Sequence, residues 1–357
     1  MPTRPSGGHG RAGCRGAPRH GAVERRSETP GCQRPQGCAP MSRIHGDTVV
    51  LGYHRVASPP DDPYMLSVHP DRFAEHLDVI GAGAQVVPLP ELRRAVRSSS
   101  KRPLVALTFD DGYRDNLTTA LPLLDSAGVP ATLFVTSRVI EGGPPFWWDR
   151  LTGLLGDSGD PDDPRRREVL RVEIGGRQLM LDARTDDDRR RALQVLSRRL
   201  QRRAPVEIDG VLAQIEKQLD CDSAALEAGL LDEAGVARLA SSALMTIGSH
   251  THNHPWLAVL DYEEQFGEIN RSCRLLEEVT GDRVDLVAYP FGGHGSFGPD
   301  TERACRRAGI EFAFTTVPGS FSWLTPRLRV PRRVVRDWPG EEFEQHLAAW
   351  SRGHEVG

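Results

Sequence analysis

The chain has 357 residues, of which 38% are hydrophobic, and a formal net charge of −4; this is enough to bury a core in one large domain or two ordinary ones. Seven Arg and two Glu place +5 in residues 1–40 and leave −9 beyond them, and the absence of a basic face excludes nucleic acid as a partner. No apolar run reaches the length of a transmembrane segment and no apolar stretch resembles a secretory signal, so a cytoplasmic location is expected, while six cysteines with no CxxC pairing exclude a zinc ribbon or a disulfide scaffold.

Residues 1–40, rich in Gly, Pro and Arg, have no apolar periodicity and are expected to be a disordered leader, with Met41 as an alternative start. Thr48 to Val56 reads as a buried strand ending in the polar cluster Tyr53, His54 and Arg55. Asp71 can cap a helix through Phe73, Leu77 and Ile80, and a short strand from Gln85 to Leu89 precedes a helix from Pro90 to Val96. Leu104 to Phe109 is apolar or small throughout, as in a strand buried on both faces, and it runs into Asp110, Asp111 and Gly112. Consecutive side chains on a strand point to opposite faces, so the two aspartates can share one site only if the chain turns, which Gly112 permits. Close carboxylates then need a metal, a cation or a shared proton; an acidic turn capping the next helix is the plainer alternative.

A helix from Leu117 to Gly128 and a strand from Ala131 to Val135 continue the β/α rhythm, which breaks between about 141 and 243. That stretch opens with Phe146, Trp147, Trp148 and Asp149, contains a hairpin about Gly175-Gly176, and carries a basic helix from Asp186 to Arg203 whose Leu193, Leu196 and Leu200 share one face. It is read as an insertion or lid, with its arginines on a solvated face. The rhythm resumes with a helix from Asp232, strands at Leu244 to Gly248, Asp285 to Tyr289 and Phe312 to Thr316, intervening helices at Tyr262 to Thr280 and Pro299 to Ala308, and a last strand near Val330. Seven parallel units are enough to close or nearly close a barrel.

Three histidines, His250, His252 and His254, follow an apolar strand directly. Two of them are four apart, expected on one face of a helical turn, and such a pair with a carboxylate suits zinc or a similar divalent ion that keeps an open position. The strand ends at His54, Asp110/Asp111 and His250/His254 converge on the rim where parallel β/α folds build their sites. An Asp with two His also fits a metal-dependent phosphoesterase, and a catalytically inactive carbohydrate-binding barrel is the alternative without turnover.

TFDDG at Thr108 to Gly112, HTHNH at His250 to His254 and AYPFG at Ala288 to Gly292 occur in the order of the first three motifs of the polysaccharide deacetylases of carbohydrate esterase family 4. With YHRV at Tyr53 to Val56 and PRRV at Pro331 to Val334, the chain resembles this NodB-homology family from about 48 to 345 outside the insertion, and it is similar to the branch with an N-terminal YH motif. The resemblance implies an α/β fold, a distorted (β/α)7 barrel with a mainly helical insertion, forming a catalytic domain over 41–350. It implies removal of N-acetyl groups from an N-acetylglucosamine-type glycan or glycoconjugate, with release of acetate. One divalent ion, zinc before Co2+, Ni2+ or Fe2+, would sit on Asp111, His250 and His254, with Asp110 as general base. A backbone N–H near Tyr289 would meet the oxyanion, and Pro290 and Phe291 would line the substrate site.

Two departures bear on roles. Ala288 stands where the family has the arginine that orients the base, so Arg332 or Arg333 is assigned that task, and the late Leu-x-His motif that supplies the acid is not evident. His346 falls in a terminal helix, where exposure is expected, and His54 is assigned as the acid. Phe146, Trp147, Trp148, Phe291 and Trp323 are candidates either for stacking on sugars or for packing, and Trp256 for the core. The glycan linkage and the oligomeric state are left open.

Overall fold

A computed structural model describes residues 48–354 apart from 98–99, 157–162, 164–166 and 224–228; the expected leader and Met41 lie outside the described residues. Seven strands form one parallel sheet, in the spatial order Phe312–Phe314, Leu286–Ala288, Met245–Ser249, Ala131–Val135, Leu104–Phe109, Val49–Tyr53 and Arg333–Val334, and a short eighth, Gln85–Val86, also pairs with the Leu104 strand. The sheet curls until a single segment joins its two edges. Val330 bridges Phe314 in parallel, and three residues later the same segment pairs with the first strand, Leu51 opposite Arg333. The fold is thus a distorted (β/α) barrel.

Alternation along each strand separates two cores. Val49, Leu51, Val105, Leu107, Leu133 and Val135 face outward against helices Pro70–Gly83, Leu121–Ala127 and Tyr262–Thr280. Val50, Ala106, Phe134, Leu286, Phe312, Phe314 and Val330 fill the interior. Gly248 is required by this packing, since a Cβ there would lie 2.5 Å from Cδ1 of Phe134. The inward parity, carried up each strand, selects the residues of the rim: His54 above Val50, Asp110 above Ala106, His250 beyond Gly248, and Arg332 and Arg336 beyond Val330.

The insertion has a core of its own, with Leu151, Leu154, Leu170, Val172, Leu193, Leu196, Leu212 and Ile215 buried together. Helices Trp147–Leu155, Asp186–Leu200 and Pro205–Leu219 enclose one face of an antiparallel hairpin, Arg167–Ile174 with Arg177–Ala183. Its arginines are not uniformly solvated, as the sequence suggested: Arg189 is 1% exposed and pairs with Asp163 at 2.8 Å, and Arg150 reaches Asp209 and Glu216 at 2.8 and 2.9 Å. Among the contacts that lay the insertion on the barrel are Tyr64 Oη to Ser197 Oγ at 2.8 Å and the Arg202 guanidinium over the Trp256 ring at 4.9 Å. No helix among the described residues is long and apolar enough to cross a membrane.

Candidate metal and catalytic site

Asp110 ends the inward-facing row of the Leu104 strand, and Arg332 reaches it from the last segment of the barrel. Nη1 and Nη2 of Arg332 each donate to one carboxylate oxygen at 2.7 Å, while Nη1 also donates to Thr108 Oγ1 at 3.0 Å and Nε to the Thr315 carbonyl at 3.3 Å. Both partners are buried. Burial raises the Asp110 pKa, but the Arg332 guanidinium, aided by His250, outweighs it and holds the carboxyl well below the usual range. Arg333, the other arginine considered, lies instead beside the Trp350 ring.

Asp111 comes to the same side because the turn begins at Asp111 itself, with φ +77°, and continues through Gly112 at φ +101°. Its Oδ1 lies 3.5 Å from Nε2 of both His250 and His254, and the three donor atoms fall within 4.8 Å of one another. Nδ1 of His250 donates to the Ala288 carbonyl at 2.8 Å, which turns the Nε2 lone pair toward Asp111. Asp111 Oδ1 is buried without a hydrogen-bond partner among the described residues. Burial and the neighbouring Asp110 raise the Asp111 pKa, and burial lowers those of His250 and His254. Two lone pairs and a partnerless carboxylate oxygen meeting in a buried space fit a divalent cation.

The His250–His254 segment is an irregular loop and not the helical turn expected from the spacing. Thr251 at φ +64° and His254 at φ +55° bend it back on itself. Of the six non-glycine residues with positive φ among the described residues, four surround this point: Asp111, Thr251, His254 and Phe291. Left-handed backbone of this kind costs roughly 1–3 kcal/mol per residue and persists where surrounding contacts enforce it. Here Glu268 accepts from the N–H groups of His252 and Asn253 at 3.1 and 2.7 Å and from Asn253 Nδ2 at 2.7 Å. His252 faces away, toward Ser137 Oγ at 2.9 Å. Sequence reasoning missed Glu268, whose place in a long amphipathic helix looks like any solvated carboxylate.

A pocket of about 430 Å³ opens over these groups, with His54, Trp147, Trp148, Phe291, Arg198 and Arg336 among its walls. Phe146, Trp148 and Phe291 pack around the His254 ring. The His54 carbonyl accepts from Asn116 Nδ2 at 2.9 Å, and its ring has no hydrogen-bond partner among the described residues. Burial above all lowers its pKa to about 4, with Asp110 opposing and Arg332, His250 and Arg336 reinforcing the shift.

Tyr289 also lines the pocket, but its N–H extends the sheet by donating to the Phe314 carbonyl at 3.0 Å, and its hydroxyl donates to the Leu328 carbonyl at 3.0 Å. The Tyr289 N–H itself is therefore occupied. Two residues on, past the buried Pro290, the Phe291 N–H makes no hydrogen bond among the described residues. Trp323 is 61% exposed, close to Phe321, which pairs with Thr48 at the opposite end of the barrel, and so has no part in the pocket. His346 is partly buried, stacked on Trp338 at 4.0 Å, and likewise lies outside the pocket walls. Trp256 is buried.

Residues 97–159 and 212–313 match the family model described as polysaccharide deacetylase. No curated protein matches the chain by sequence. Among solved structures, the fold is similar to that of the Streptococcus pyogenes deacetylase PplD in complex with acetate, at 18% identity over 84% of this chain and 97% of that one, with a TM-score of 0.54. IcaB from Ammonifex degensii is similar at 18% identity over 87% and 99%, with a TM-score of 0.52. A de-N-acetylase from Aggregatibacter actinomycetemcomitans is similar at 16% identity over 83% and 99%, with a TM-score of 0.51.

Proposed function

Because the chain belongs to the polysaccharide deacetylase family, we propose that it hydrolyses the N-acetyl groups of an N-acetylglucosamine-type glycan, releasing acetate and leaving a free amino sugar. The observation that carries this reading is the pairing of two different carboxylates in one pocket, Asp110 locked to Arg332 and Asp111 facing two imidazole nitrogens. Two imidazoles with one carboxylate suit zinc before harder cations. A bound divalent ion supplies Lewis-acid polarisation of the acetyl carbonyl and a water of lowered pKa.

The remaining work falls to the chain. Asp110, kept ionised by Arg332, accepts a proton from the attacking water on the lone pairs that Arg332 leaves free. The Phe291 N–H, at the pocket wall, donates to the oxygen that becomes negative as the carbonyl turns tetrahedral. The leaving nitrogen needs a proton, and His54 delivers it. Since burial keeps His54 neutral at rest, it takes up within the turnover the proton that Asp110 removed. Acetate, bound in the streptococcal relative, is the product of such a reaction.

Acetate release from N-acetylglucosamine oligosaccharides, with and without chelator, tests the proposal. Release abolished by chelator and restored by zinc is the expected result. Cleavage of phosphate esters without acetate release would replace it with a phosphoesterase, and glycan binding with neither activity would replace it with a binding protein.

A further inference from the structure

We propose that the pocket selects substrates carrying an oxyanion, phosphoryl or carboxylate, beside the acetylated amino sugar, and that Arg336 and Arg198 hold it. This rests on the deacetylase reading and narrows the substrate class. The charged residues of the pocket wall are Asp110, Asp111, Arg198 and Arg336. Asp110 is matched by Arg332 from below, and Asp111 belongs to the cation site. The two arginines reach no carboxylate among the described residues. Elsewhere the same helix pairs its cations readily, Arg190 with Asp187 and Arg191 with Asp188.

Arg336 is the more telling of the two. It follows Arg332 by four residues on the inward parity, with Val334 between them, which carries it past the Asp110 pair along the same segment and into the pocket wall. It is half-buried, and its guanidinium makes one hydrogen bond among the described residues, from Nη1 to the Met65 carbonyl at 2.7 Å. Burial of this guanidinium outweighs the through-space attraction of Asp62, the carboxylate that acts on it without forming an ion pair, and that partial desolvation is costly. Hydroxyls of a neutral glycan offset that cost poorly, whereas an oxyanion accepts paired, charge-assisted bonds from the donors that remain. Arg198 is exposed on the insertion, one residue from the Ser197 contact to Tyr64, and so contributes a second positive charge from the facing wall. A chain of net charge −4 thus presents unpaired positive charge where its substrate enters.

The test compares binding of N-acetylglucosamine, N-acetylglucosamine 1-phosphate and N-acetylmuramic acid to the full chain by calorimetry at two ionic strengths, with R336Q, R198Q and R336K alongside. At least one anionic sugar is expected to bind about tenfold or more tightly than the neutral one, as charge-assisted hydrogen bonds allow, and the advantage is expected to shrink with salt. R336Q should erase most of it, R198Q part of it, and R336K should retain more than R336Q. The arm that responds separates phosphoryl from carboxylate recognition. Coordination of the anion to a metal is common to all variants, so a preference that survives in both R336Q and R198Q overturns the proposal, as does equal binding of all three sugars by the unaltered chain. Because R198Q alters an exposed residue, a folding defect in R336Q does not remove the test. Binding is read without turnover: a preference for anionic sugars with no acetate released from any of them would refute the deacetylase reading and leave the anion site standing.

Discussion

Replacing Arg332 by methionine keeps most of the side-chain volume and removes the charge that faces Asp110. In the intact protein the pair is buried and held by two 2.7 Å bonds, with Thr108 and the Thr315 carbonyl as further partners. Losing one member of such a pair costs about 3–5 kcal/mol, because the other charge stays buried. At about 2 °C per kcal/mol for a domain of this size, Tm should fall by roughly 6–10 °C at pH 7. The pH dependence identifies the cause. With Arg332 present the folded pKa of Asp110 lies below its ordinary value of 3.8, so the pair stabilises fully above that value and the benefit fades as pH falls through the folded pKa. Without Arg332, burial is opposed only by His250 and His54, so the pKa should rise above 3.8 and ionisation at higher pH becomes a penalty. The Tm deficit of Arg332→Met should therefore be largest at pH 7 and shrink toward pH 4.5, measured by thermal melts in chelator. Adding Asp110→Asn should recover part of the loss at pH 7. Acetate release should drop by about 10²- to 10⁴-fold, the usual worth of a general base. A deficit of equal size at both pH values, with no recovery in the double variant, would refute the charge argument and leave Arg332 as a packing residue.

His254→Ala should abolish most metal binding and activity while the protein remains folded; unchanged metal content by elemental analysis would remove His254 from the site. His54→Ala should lose about 10²- to 10⁴-fold on amides and much less on an activated acetate ester, whose leaving group needs no proton. Equal losses on both substrates would make His54 a positioning residue. In the resting protein the His54 ring should titrate near pH 4 and be neutral from pH 5 to 8, and an NMR midpoint near 6.5 would contradict its burial. Gly248→Ala forces a Cβ to 2.5 Å from the Phe134 ring and should cost about 1–3 kcal/mol by overpacking; an unchanged Tm would show that the interior yields there.

The barrel was legible because most of its strands are short runs of apolar or small residues bounded by polar clusters. The helix at Tyr262–Thr280 matches its expected limits, since Asp261 caps it by accepting from the Glu264 N–H and Gly281 ends it. Motif order brought Asp110, Asp111, His250 and His254 together before any geometry was known. What stayed hidden depended on distant partners or unusual backbone. Nothing local marks Thr251 and His254 as left-handed, so their spacing reads as helical. That the Tyr289 N–H is taken up was not legible, because the sheet ladder runs one residue past the Leu286–Ala288 strand. Arg189 looks like its neighbours on a basic helix until Asp163 is found against it. Arg198 and Arg336 became pocket residues only when the insertion and the last barrel segment were seen to face each other.

The segment that joins the two edges of the barrel also sets an order of events during synthesis. Asp110 leaves the ribosome 222 residues before its partner Arg332, which at roughly 5–20 residues per second is an interval of about 10–45 s. Throughout that time the carboxylate cannot be buried as an ion without its counter-charge, and the strands around it have no closing edge. The nascent barrel is therefore expected to stay open at the seam, and the rim to lack its catalytic arrangement, until the segment that carries Arg332 arrives. Nascent chains arrested just before and just after Arg332 emerges should differ sharply in protease resistance, making the last barrel segment a checkpoint between an unfinished polypeptide and a competent hydrolase.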